Sequence, residues 1–79
     1  MEIKVLGTGC PKCKRLEKMA IEAVEEMDIE ATVTKEEDIS KIMQYGIIYT
    51  PGLVINGKVV LSGRLPGRKE LTDLINKYM

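Results

Sequence analysis

Apolar and polar residues alternate at the start of the chain, with Ile3 and Val5 set against Glu2 and Lys4 before Leu6 leads into Gly7 and Gly9. A period of two is that of a β-strand with one covered face, and the glycines predict that it ends in a permissive loop. From Pro11 the period lengthens. Cys13, Leu16, Ala20, Ala23, Val24 and Met27 recur every three or four residues, the apolar stripe of an amphipathic helix of about 16 residues, with Pro11 suited to its first turn. Alternation returns at Ile29, Ala31 and Val33, between Glu30, Thr32 and Thr34, which predicts a second strand after a tight connection at Asp28.

Lys35 to Tyr45, with Ile39, Ile42 and Met43 apolar and Gly46 as a stop, predicts a second helix. Leu53-Val54-Ile55 and Lys58-Val59-Val60-Leu61 then flank Asn56-Gly57, a dipeptide that accepts the positive φ values of a two-residue hairpin turn. Gly63 closes the second arm, and Pro66 to Tyr78 predicts a last helix that turns Leu71, Leu74, Ile75 and Tyr78 inward. The order β-α-β-α-β-β-α defines an α/β architecture. Its first two strands, joined by a helical crossover, should be parallel, with the antiparallel hairpin alongside in a four-stranded mixed sheet covered by helices on both faces. In such sheets chemistry gathers beyond the carboxyl ends of the parallel strands, where the first strand hands over to the first helix. Cys10 stands at that point.

Composition narrows the partners. Seventy-nine residues with 44% hydrophobic and 30% charged side chains predict one domain with one core. Twelve Lys and Arg balance twelve Asp and Glu, so no net field draws the chain to nucleic acid or to an acidic membrane, and neither is expected as a partner; a monomer is expected. The apolar run in MEIKVLGTG is too short for a signal-peptide core or a membrane span, which predicts a cytoplasmic location. The methionines at 1, 19, 27, 43 and 79 form no ligand cluster, and Met19, Met27 and Met43 read as core packing.

The chain's two cysteines, Cys10 and Cys13, lie in GTGCPKC. As a staple the pair gains little, since closing a four-residue loop is worth on the order of 2 kcal/mol against about 3 for fifteen residues. A structural zinc needs four ligands, and there is no His to complete the set. Two-coordinate Cu(I) needs only soft thiolates, so a metal carrier stays open as the alternative. A redox pair fits the spacing, because the first Cys at a helix start can face solvent while the second, one turn on, lies beneath it.

The helix start also carries about half a positive charge, which favours a thiolate at Cys10. Lys12, Lys14, Arg15 and Lys18 crowd the first half of this helix and Glu22, Glu25, Glu26 and Asp28 its second half, the reverse of what the helix dipole prefers. Two readings fit that polarity. Either Lys12 and Lys14 stabilise a thiolate, or the residues form a solvated face of i,i+4 pairs such as Lys18 with Glu22.

GTGCPKC after the first strand, YTPGLVINGKVVLSGR from Tyr49 to Arg64, and a closing helix together resemble the thioredoxin superfamily, specifically its small, glutaredoxin-sized, archaeal-type redox-active disulfide proteins. The resemblance implies a thioredoxin-like fold and a thiol–disulfide oxidoreductase in which Cys10 attacks and Cys13 resolves. It implies a cis peptide before Pro51, partner pairing through the backbone of Thr50, and a shallow docking surface of Thr8, Gly9, Pro11, Tyr49, Thr50, Pro51 and Gly63. Gly7 and Gly52 are expected at that surface too, and Tyr49 reads equally as a half-buried aromatic. It further implies no bound cofactor beyond the Cys10–Cys13 disulfide, with disulfide-containing protein substrates and an electron-donating reductase as partners.

Departures limit the transfer. Lys12 stands where glutaredoxins carry an aromatic, and Gly63-Arg64 replaces the Gly-acid pair that helps them hold glutathione. The Trp before the first Cys of thioredoxin is absent, as is a match for its buried Asp, which leaves the proton-transfer group for Cys13 unassigned. Copper carriers resemble a β-α-β-β-α-β unit with Met two residues before the first Cys, where this chain has Thr8 and a closing helix.

Overall fold

The computed structural model describes residues Met1 to Met79. Strands β1 (Glu2–Leu6), β2 (Thr32–Glu36), β3 (Gly52–Ile55) and β4 (Lys58–Ser62) alternate with helices α1 (Pro11–Met27), α2 (Ile39–Gln44) and α3 (Arg68–Lys77) in the predicted order. They form one sheet in the order β2-β1-β3-β4. β1 runs parallel to β2 and antiparallel to β3, and β3 runs antiparallel to β4. This is the thioredoxin-like α/β fold.

The period of two in β1 and β3 divides the interior between the two faces of the sheet. Ile3, Val5, Leu53, Ile55 and Leu61 point to one side, where Leu16, Ala20 and Ala23 of α1 and Leu71 and Ile75 of α3 complete the main core. Leu6 and Val54 point to the other side and meet Ile42 of α2 and Ile47 in a smaller cluster. β3 is buried along its whole length, as a central strand covered on both faces must be. The hairpin turns as its sequence requires, with Asn56 and Gly57 both at positive φ. Asn56 also binds the start of β1, accepting from the Glu2 N–H through Oδ1 at 2.9 Å while its own N–H donates to the Glu2 carbonyl at 2.8 Å.

Three boundaries differ from the periodicity, each for a local reason. β2 starts at Thr32 rather than Ile29, because the paired register begins with Glu2 opposite Thr32, whose N–H meets the Met1 carbonyl. Ile29, Ala31 and Val33 still lean on the main core, so the alternation reported a facing and not a ladder. α2 does not begin at Lys35. Lys35 and Glu36 pair with Val5 and Leu6, and the helix waits for Asp38, whose carboxylate caps the Ser40 N–H at 2.9 Å. α3 begins at Arg68 rather than Pro66, after Gly67 as N-cap.

Met43 is 66% exposed, so its reading as core packing is corrected. It stands at the end of a six-residue helix that turns only Ile42 inward, whereas Met19 and Met27 do pack on the main core. No helix is long and apolar enough to cross a membrane. Leu16→Ala should lower the unfolding free energy by about 2–5 kcal/mol, because Leu16 is fully buried under the sheet. Met43→Ala should stay within about 0.5 kcal/mol of the parent; chemical denaturation compares the two.

Candidate active site

The loop from β1 to α1 sets both cysteines. Gly7 N–H still bonds the Glu36 carbonyl at 2.9 Å, so the chain leaves the sheet only after that residue. Cys10 then takes an extended conformation as the N-cap of α1, and Pro11 follows at a position where its missing N–H costs no hydrogen bond. The Cys10 carbonyl accepts from Lys14 N–H at 3.0 Å as the first helical bond. Cys13 N–H, one of the amides a helix start leaves without a partner, donates to Cys10 Sγ at 3.2 Å. A sulfur that serves as the cap sits where the helix is most positive.

Cys10 and Cys13 are joined in a disulfide with their Cα atoms 5.1 Å apart. Cys10 is half-buried, with exposed Pro11 and Lys12 beside it, while Cys13 is only 5% exposed. The two sulfurs are therefore bonded to each other but differ in access. Burial of Cys13 depends on Gly7. A Cβ at Gly7 would fall 2.7 Å from Cys13 Cβ and inside the contact shell of Cys13 Sγ, so only glycine lets the strand end lie against the helix there.

The segment containing Pro51 arrives from the neighbouring strand. The β1–β3 register pairs Leu6 with Gly52, and one step further along it Pro51 comes level with Gly7. The Thr50-Pro51 peptide is cis, as the resemblance implies, and Pro51 is fully buried. Its carbonyl accepts from Gly63 N–H at 2.9 Å, which ties the β4–α3 loop to this segment. A Cβ on Gly63 would stand 3.3 Å from Tyr49 Cβ.

Thr8, Pro11, Tyr49 and Gly63 are exposed and Gly9 and Thr50 half-buried, whereas Gly7 and Gly52 are buried and offer no surface. Pro51 is likewise closed to solvent. Tyr49 is 72% exposed and Ile48 87%, so Tyr49 is not the half-buried aromatic that one reading expected.

The basic first half of α1 is open, with Lys12, Lys14, Arg15 and Lys18 all exposed. The acidic second half faces α3. Glu22 and Glu26 reach Arg68 at 3.6 and 3.4 Å, in place of the Lys18–Glu22 pair that a self-contained solvated face would show. Arg64, at the position where glutaredoxins carry an acid, is turned to Glu70 and donates from Nη1 to Oε1 at 2.7 Å and from Nη2 to Oε2. Those hydrogen bonds hold the Glu70 carboxyl below its ordinary range and raise the Arg64 guanidinium. Beyond the cysteines, no three His, Cys, Asp or Glu side chains converge as metal ligands would.

Periodicity did not reveal what lies behind the pair. Glu17 of α1, Lys35 of β2 and Glu37 line a small cavity together with Gly7 and Cys13. These residues come from separate segments that only the β1–β2 pairing and the helical crossover bring together, and a charged residue in a helix or strand carries no mark of such a meeting. Glu17 did sit beside the apolar stripe, four residues from Cys13, which was the one available signal.

Comparison with known proteins agrees with this geometry. A family model described as "Thioredoxin domain" matches residues 1–76. A thioredoxin of Methanothermobacter thermautotrophicus is 36% identical over 76 residues, covering 96% of this chain and 99% of the relative. A thioredoxin of Methanocaldococcus jannaschii is 32% identical over 77 residues, 98% of this chain and 88% of its own length. A probable thioredoxin of Archaeoglobus fulgidus is 34% identical over 71 residues, 86% and 77% of the two chains.

Gly7→Ala should cost about 1–3 kcal/mol by overpacking against Cys13, whereas Gly67→Ala, with open space around it, should be far milder. Thermal unfolding of the oxidised variants checks the order.

Proposed function

This chain belongs to the thioredoxin family and is a thiol–disulfide oxidoreductase; on that premise we propose that it reduces the disulfides of protein substrates, with Cys10 as attacking and Cys13 as resolving sulfur. The observation that carries this division is the position of the two sulfurs on α1. Cys10 caps the helix, accepts a backbone N–H and is partly open, while Cys13 is buried one turn on.

In the reduced protein the Cys10 thiolate attacks a substrate disulfide, forming a mixed disulfide and releasing one substrate thiol. Cys13 then attacks Cys10, the mixed disulfide breaks, and the second substrate thiol leaves as Cys10–Cys13 forms. The substrate gains two electrons and two protons. The helix start and the Cys13 amide favour the thiolate of Cys10, and the exposed ammonium groups of Lys12 and Lys14 add positive charge on the same turns. The basic half of α1 opposes the helix dipole, so a role in holding an anion there explains it better than helix stability does.

Thr8, Gly9 and Pro11 on one side and Tyr49, Thr50 and Gly63 on the other form the docking surface for an extended substrate segment. The Thr50 backbone pairs with that segment. Pro51, being buried, contributes by shaping the segment that carries Thr50. No bound cofactor is needed, and an electron-donating reductase returns Cys10–Cys13 to the dithiol. The same reading takes the protein as a cytoplasmic, one-domain monomer.

Cys10→Ser should abolish insulin reduction driven by dithiothreitol, and Cys13→Ser should accumulate mixed disulfides through Cys10 in cell extract. Tight binding of one Cu(I) per chain, with no trapped partner, would instead support the metal-carrier alternative. In the Cys13→Ser protein, alkylation of Cys10 should titrate well below the pH range of an ordinary thiol. A profile matching free cysteine would refute the helix-start argument.

A further inference from the structure

The resolving step asks a buried thiol to become a thiolate. Burial opposes ionisation of Cys13, yet only the thiolate attacks. Its own backbone N–H is already given to Cys10 Sγ, and in the proposed mixed disulfide the docked substrate covers the open side of the pair. The proton therefore needs an acceptor behind the sulfur.

Behind the sulfur lies a cavity of about 40 Å³ between the first turns of α1 and the ends of β1 and β2, where Gly7 and Cys13 meet the charged side chains of Lys14, Glu17, Lys35 and Glu37. A space of that size bordered by charged side chains accommodates a water molecule. Two carboxylates border it. Glu37 is held by Lys35, with Oε1 3.4 Å from Nζ. Glu17 is half-buried and has no cationic group within 4.0 Å. It follows Cys13 by one helical turn, and helical side chains lean toward the N-terminus of their helix, so its carboxylate is directed back over the turn that carries Cys13.

We propose that Glu17 accepts the Cys13 proton in the second exchange step, directly or through a water held in this cavity. As the proton passes to the Glu17 carboxylate, Cys13 Sγ bonds to Cys10 Sγ and the Cys10–substrate bond breaks. The electron pair leaves with the substrate sulfur, which is reduced while the dithiol is oxidised. The proton then passes to solvent or to the departing thiolate. This assignment rests on the proposed roles of Cys10 and Cys13.

Stopped-flow reaction of the reduced protein with 5,5′-dithiobis(2-nitrobenzoate) separates the two. The first release of thionitrobenzoate reports attack by Cys10, and the second reports resolution by Cys13. Glu17→Gln should leave the first phase unchanged and slow the second about a hundredfold at neutral pH, the lower end of general-base effects. The deficit should shrink as pH rises and hydroxide takes over. Glu37→Gln should keep the parental second phase.

A second phase equal to the parent's at every pH, or one slowed only by Glu37→Gln, would overturn the assignment. A Glu17→Gln deficit that persists unchanged at high pH would also overturn it, marking a packing defect. The first phase serves as the separate check, since a first release no faster than a free thiol's would count against the roles of Cys10 and Cys13 themselves.

Discussion

A single hydrogen bond, from the Cys13 amide to the Cys10 sulfur, organises the functional end of this molecule. It exists because a helix start leaves amides without partners and because Cys10, with Pro11 after it, is placed to be the cap. The bond makes the two cysteines unequal although they are neighbours in sequence and are joined to each other. One sulfur is held where positive potential is highest; the other is folded under the helix, against a strand end that only glycine lets approach so closely. The sheet serves this arrangement by delivering β1, β2 and β3 to one edge in fixed register, so that the cysteine loop, the Pro51 segment and the cavity behind Cys13 all arrive at the same place.

The surface chemistry follows from the same end of the fold. The acidic half of α1 is used in packing, since Glu22 and Glu26 meet Arg68, while the basic half is left to solvent beside Cys10. Exposed ion pairs of this kind contribute at most about 1 kcal/mol each, so their arrangement matters more for where charge is left free than for stability. Arg64 belongs to this pattern. Its guanidinium is occupied by Glu70, so the position where glutaredoxins present an acid to glutathione is committed here to an internal contact with α3.

Much of this was readable from residue order. Periodicity located all seven elements, Asn56-Gly57 announced its turn, and the cysteine spacing on a helix start marked the site. The two boundaries misplaced around β2 have one cause, which is that strand limits belong to the partner strand. Thr32 begins β2 because Met1 and Glu2 begin the ladder, and Lys35 stays in β2 because Val5 is across from it. Such information lies outside any local window. Gly7 was legible as a loop glycine but not as the residue that Cys13 packs against, and Tyr49 gave no sign of whether α2 would cover it. Glu17, Lys35 and Glu37 are ordinary charged residues until the crossover brings them around one cavity.

The unequal division of the interior also sets how the molecule breathes. Ten buried side chains bind α1 and α3 to one face of the sheet, whereas four hold the other face, where α2 supplies a single buried residue, Ile42. Local opening begins where the fewest apolar contacts must be broken, so the amides of α2 should exchange with solvent through fluctuations that leave α1 intact. The helix carrying the sulfurs is thus insulated from the most labile part of the chain, and the dithiol can stay aligned while the opposite layer comes and goes.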